Sequence, residues 1–127
     1  RPDQAAVYHD LGVVYSLRGQ YDQARIRYLQ AITRNPSLAA SYHNLGNIYL
    51  RQRNLKAAVQ RFQQALQADS TYALSHLALG NVLMMGKQYE RAIALFGQGL
   101  RHQPDNAKLQ RNLKMARQIA AESQAGQ

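Results

Sequence analysis

His9 and His43 are the first side chains to weigh for chemistry, because two imidazoles could share a metal ion or a proton. Their 34-residue separation argues against both. It places them at equivalent points of neighbouring repeat units, on backbones about 8–10 Å apart, whereas a metal needs each nitrogen at about 2.0–2.1 Å. No third histidine or carboxylate accompanies them, so contact with a partner is the expected role and no metal or other cofactor is expected. Seven carboxylates and no cysteine leave little from which to build a nucleophile with its base and acid. Gly97-Gln98-Gly99 lacks the preceding strand that a phosphate-binding loop requires. The expectation is a non-catalytic chain whose polar groups bind rather than react. Asn44, Asn47 and Asn81 can donate and accept at once, as an extended peptide backbone demands.

These residues are positioned by a repeat. Gly12, Gly46 and Gly80 are 34 residues apart, inside the phrases Tyr8-x-x-Leu11-Gly12-x-x-Tyr15, Tyr42-x-x-Leu45-Gly46-x-x-Tyr49 and His76-x-x-Leu79-Gly80-x-x-Leu83. Twelve residues after each glycine stands Ala24, Ala58 or Ala92, and four further on Tyr28, Phe62 or Phe96. Pro36 and Pro104 close the first and third units, where the second has Ser70. Tyr8, Leu11, Gly12 and Tyr15 share a helix face, which predicts a helix over 5–18. Gly19-Gln20 ends it, and a second helix is predicted over 21–34, stopped by Asn35-Pro36. The same reading predicts helices near 39–52, 55–68, 73–86 and 89–102. Gly12, Gly46 and Gly80 should let two backbones approach closely, and Gly97 and Gly99 should soften the second helix of the third unit.

A 34-residue period with this punctuation resembles the tetratricopeptide repeat family over residues 5–106. The resemblance implies an all-α fold: a right-handed α-solenoid of three antiparallel helix-pair repeats plus a C-terminal capping helix. The repeats are 5–38, 39–72 and 73–106. Residues 1–4 read as the tail of an upstream unit, because Pro2 falls one repeat before Pro36. The capping helix is 107–122, since Leu109, Leu113, Ala116 and Ala120 form an apolar stripe, whereas Gln110 and Lys114 stand where a full repeat is buried. Residues 123–127 read as a disordered tail.

Such a stack implies a groove lined by the first helix of each pair, at positions out of phase with the tyrosine–leucine–glycine phrase. The candidate groove residues are His9, His43, Asn44, Asn47, Leu77, Asn81, Met85, Lys108, Arg111 and Asn112. The asparagines would hold a backbone, Leu77 and Met85 would give apolar contact, and Lys108 and Arg111 would supply charge. The resemblance implies a protein or peptide segment as partner, bound so as to scaffold an assembly. It argues against one mode: the family's carboxylate clamp falls in register on His9, Val13, Asn44, Leu74 and Ala78, and only Asn44 matches, while one repeat onward it falls on His43, Asn47, Ala78, Lys108 and Asn112, a partial match.

Lys and Arg outnumber Asp and Glu 16 to 7, a formal charge of +9, which suits an acidic partner. Self-association through exposed repeat ends is the structural alternative, and recruitment of substrates for an enzymatic domain elsewhere in a longer protein is another. Nucleic acid ranks last, because interleaved exposed aromatics and a binding motif are missing. No stretch approaches the roughly 20 consecutive apolar residues of a membrane span, and the expectation is a soluble chain, cytoplasmic by default.

Overall fold

The computed structural model describes residues 2–126. Among the described residues seven helices follow one another: α1 Pro2–Leu17, α2 Tyr21–Arg34, α3 Ala39–Arg51, α4 Leu55–Ala68, α5 Ala73–Met85, α6 Tyr89–His102 and α7 Ala107–Ala125. No strand occurs among the described residues. Two boundaries differ from the sequence reading by more than one residue. α1 starts earlier, with Pro2 in its first turn, where a fixed φ and a missing N–H cost nothing. α7 runs on through Ser123, Gln124 and Ala125, which were expected in a tail. Arg1 and Gln127, the outer residues of the two expected tails, lie outside the described residues.

Each first helix closes in the same way. Gly19, Arg53 and Lys87, again 34 residues apart, have positive φ of 73°, 59° and 59°. The next amide then reaches back five residues: Gln20 N to Tyr15 O at 2.9 Å, Asn54 N to Tyr49 O at 2.9 Å, and Gln88 N to Leu83 O at 2.8 Å. This is a Schellman closure, which uses a left-handed residue to satisfy terminal carbonyls. Only the first repeat supplies glycine there. Helix starts are less uniform: Asn54 and Asn106 cap α4 and α7 through their side chains, accepting from Ala57 N and Leu109 N.

The chain forms two compact units, Arg1–Ser70 and Thr71–Gln127. In the first, α1 packs on α2, α3 on α4, and α2 on α3. Its core holds Ala24, Tyr28, Leu45 and Ile48, with Val13, Tyr15 and Ile32 against it. In the second, α6 packs on both α5 and α7, which also touch each other. Phe96, Leu109 and Ala116 are fully buried there.

The repeat glycines act differently from the expectation. Each accommodates a ring rather than another backbone. A Cβ on Gly12 would lie 2.5 Å from Tyr28, on Gly46 2.5 Å from Phe62, and on Gly80 equally against Phe96. The aromatic of each second helix thus rests on the bare Cα of its own first helix. α6 also runs unbroken through Gly97 and Gly99. Gly99 makes room for His76 and Leu109, whereas nothing stands within 4 Å of a Cβ placed on Gly97.

Leu11 departs from its expected burial. Its repeat equivalent Leu45 is 0% exposed, enclosed where α2 meets α3, but Leu11 is 38% exposed. Val7 and Val14, one turn to either side, are exposed with it, so this face of α1 has no helix against it among the described residues.

Candidate functional site

In the first unit, the ends of α1 and α3 and the start of α2 enclose a cleft of about 280 Å³. Tyr28 forms its floor. The Tyr28 ring is buried because Gly12 leaves space for it, and the His9 ring packs 5.5 Å away. That leaves the hydroxyl at the cleft, where the Asn44 amide donates to it at 3.3 Å and Ser16 Oγ lies at 3.4 Å. Asn47 and Arg51 complete the polar lining, and the Arg51 guanidinium stacks 4.7 Å above the Tyr21 ring. Val13, Leu17 and Ile48 supply the apolar wall.

The two histidines stand behind this lining. Ser41, itself fully buried, bonds His9 Nδ1 at 2.7 Å. His43 is only 6% exposed, packs 5.3 Å from the Phe62 ring, and accepts from the Asn47 amide at Nε2 over 3.2 Å. An amide nitrogen can only donate, so Nε2 carries the lone pair and the ring hydrogen sits on Nδ1. Burial pushes the His43 pKa down to about 4. Desolvation lowers that of His9 as well, against a smaller opposing pull from Asp10. Both rings are therefore neutral near pH 7, and His43 braces Asn47 from below. This corrects the expectation that His43 faces a partner: its phase on α3 points it at α4.

In the second unit, α5, α6 and α7 enclose a cleft of about 350 Å³ with different chemistry. All three methionines of the chain, Met84, Met85 and Met115, line it together with Tyr89, Phe96 and Ile119. The polar groups are Asn81 and Asn112, joined to each other by Asn112 Nδ2 donating to Asn81 Oδ1 at 2.9 Å.

Of the residues singled out by sequence, the structure gathers Asn44 and Asn47 at the first cleft and Asn81, Met85 and Asn112 at the second. Leu77 is half-buried on α5, and Lys108 and Arg111 are exposed on α7, one turn before Asn112 and Met115. None of these three lines either of the two clefts. The Tyr28 hydroxyl was missed, although its signal was legible: the first repeat has tyrosine where the others have Phe62 and Phe96. Met84 and Ile119 were also missed; the cleft they line exists only where α5, α6 and α7 meet. Among the described residues, no three histidine or carboxylate side chains cluster as a metal site would require.

A tetratricopeptide repeat family model matches residues 49–116, more than half of the chain, and a TPR repeat model matches residues 14–53. No curated protein matches it. Among solved structures, the chain is similar to the first TPR of Spaghetti (RPAP3), bound to the HSP90 peptide SRMEEVD, with 21% identity and a TM-score of 0.86. That alignment covers 94% of this chain and 97% of the other. It is also similar to the Arabidopsis OM64 TPR domain, with 23% identity, coverage of 93% and 98%, and a TM-score of 0.83. At these identities the likeness establishes the fold.

Proposed function

Because this chain belongs to the tetratricopeptide repeat family, whose members are protein-interaction modules, we propose that it holds a segment of another protein in its clefts and scaffolds an assembly without catalysing a reaction. The observation that carries this reading is the amide lining. Asn44 and Asn47 each commit their NH₂ group to an internal bond, to Tyr28 and His43, and keep a carbonyl oxygen to accept from a backbone N–H. Arg51 and Ser16 offer donors to the carbonyls of the same segment. Fixed donors and acceptors on packed helices lower the ordering cost of capture.

The neighbouring Spaghetti repeat, which is solved with a peptide, supports a peptide as the ligand class. Its ligand is not carried over unchanged. Of the clamp positions, Val13, Leu74 and Ala78 carry no charge, and His9 is held neutral behind Ser41. Apart from the Asn44 amide, nothing at those positions would bond a terminal carboxylate. The test is a pull-down with the chain beside an Asn47→Ala/Asn81→Ala double variant. Partners should be lost from the variant, while equal retention would put the binding surface outside the clefts.

One observation favours a second reading, association with another copy. Val7, Leu11 and Val14 are 58%, 38% and 44% exposed, an apolar stripe on one face of α1. Light scattering across a concentration series decides it, since a strict monomer at high concentration removes this reading.

A further inference from the structure

The second unit carries two features that the amide lining does not explain: a methionine-walled cleft, and two cations on the same helix face one turn below it. α5 and α7 run in the same direction, because His76 and Leu109 both meet Gly99, Asn81 meets Asn112, and Met85 and Met115 share the cleft. Along this pair the chemistry changes in order. Lys108 and Arg111 come first, the Asn81–Asn112 bond follows, and the three methionines with Tyr89 and Ile119 come last.

Lys108 lies four residues before Asn112, and Arg111 four before Met115, so each sits one turn below a cleft residue on the same face. Neither has an acidic partner among the described residues. Residues 107–121 contain no carboxylate at all, while Lys114 and Arg117 add further charge. The start of α7 also presents the positive end of a helix dipole. In between, the amide pair keeps Asn81 Nδ2 to donate and Asn112 Oδ1 to accept, as a passing backbone requires. At the far end, Met85 and Met115 are 63% and 50% exposed, and unbranched thioethers adapt to the shape of whatever enters.

We propose that this unit recognises an extended segment of another protein in which an acidic side chain stands two to three positions from a bulky apolar one. The carboxylate pairs with Lys108 and Arg111, and the apolar side chain fills the methionine cleft. The spacing follows from the helix. From Arg111 to Met115 the rise is about 6 Å, and from Lys108 about 10.5 Å. An extended chain covers those distances in about two and about three residues. The acid is a side chain within the segment, so no free C-terminus is needed. This inference rests on the peptide-binding reading above and names the segment it would take.

The experiment pans a phage library of random dodecapeptides, displayed without a free C-terminus, on the intact chain. In parallel it is panned on a Met85→Gln/Met115→Gln variant and a Lys108→Glu/Arg111→Glu variant, whose substituted side chains are all exposed. Circular dichroism checks that each variant is folded. The expected consensus on the intact chain has Asp or Glu two to three positions from Leu, Met or Phe. The methionine variant should lose the apolar position, and the charge-reversed variant should lose the acid. A synthetic consensus peptide should bind each variant at least about tenfold more weakly by fluorescence anisotropy. A consensus without an acid, or one that both variants retain, overturns the proposal and leaves peptide binding intact. A consensus abolished only by Asn44→Ala/Asn47→Ala does the same. No enrichment on any of them removes the peptide-binding reading itself, and this inference with it.

Discussion

Gly46 shows how one residue decides a helix pair. Alanine there would gain roughly 0.5–1 kcal/mol of helix propensity. Its Cβ would also lie 2.5 Å from the Phe62 ring, which is fully buried and cannot swing aside. Overpacking of this kind costs about 1–3 kcal/mol, so the clash should win and Gly46→Ala should lower the thermal midpoint. His43 makes the opposite point, that a buried polar group can hold a surface one in place. Its folded pKa of about 4 lies below the ordinary 6.5, so the unfolded chain binds the extra proton between those values. Stability is fully present above about pH 6.5, falls as pH drops toward about 4, and then loses nothing further from this group. The loss amounts to about 3 kcal/mol. Thermal melts from about pH 7.5 down to about 4 should show it, and His43→Leu should flatten the slope relative to the parent. An unchanged slope would mean that folding does not depress the His43 pKa.

At the scale of the element, α6 carries two glycines with opposite meanings. Gly97 faces open space, so Gly97→Ala should stabilise by roughly 0.5–1 kcal/mol through propensity alone. Gly99 is buried, and a methyl group added to it would stand 2.9 Å from Leu109 Cδ1 and 3.0 Å from His76 Cβ. Gly99→Ala should destabilise, because it pushes α6 away from both α5 and α7. Chemical denaturation of the pair should give shifts of opposite sign, and a shared sign would refute the packing account. The sequence showed only that two glycines interrupt a helical pattern. Which one is structural depends on what the neighbouring helices bring against it.

Across the whole molecule, the two units present different chemistry from the same repeat. The first cleft is walled by amides, a hydroxyl and a guanidinium, and the second by thioethers. In repeat proteins each helix pair is stabilised chiefly by its neighbours, so a local insult spreads only a short way. Hydrogen exchange should therefore show Gly46→Ala lowering protection in α3 and α4 more than in α6 and α7. A uniform loss would indicate that the chain unfolds as one cooperative body.

Helix pairing was legible in the amino-acid order because it is a local matter: a 34-residue period, an apolar stripe at helical spacing and turn residues at fixed offsets act within one hairpin. Asn44, Asn47, Asn81, Met85 and Asn112, which line the two clefts, could be singled out for the same reason, since phase on a helix follows from spacing. The roles of His43, Leu11 and Gly99, and the meeting of Met84 and Met85 with Met115, depended on which helix packs against which. Those contacts join residues distant in the chain, and only tertiary packing decides whether such a side chain meets water, a ring or another thioether.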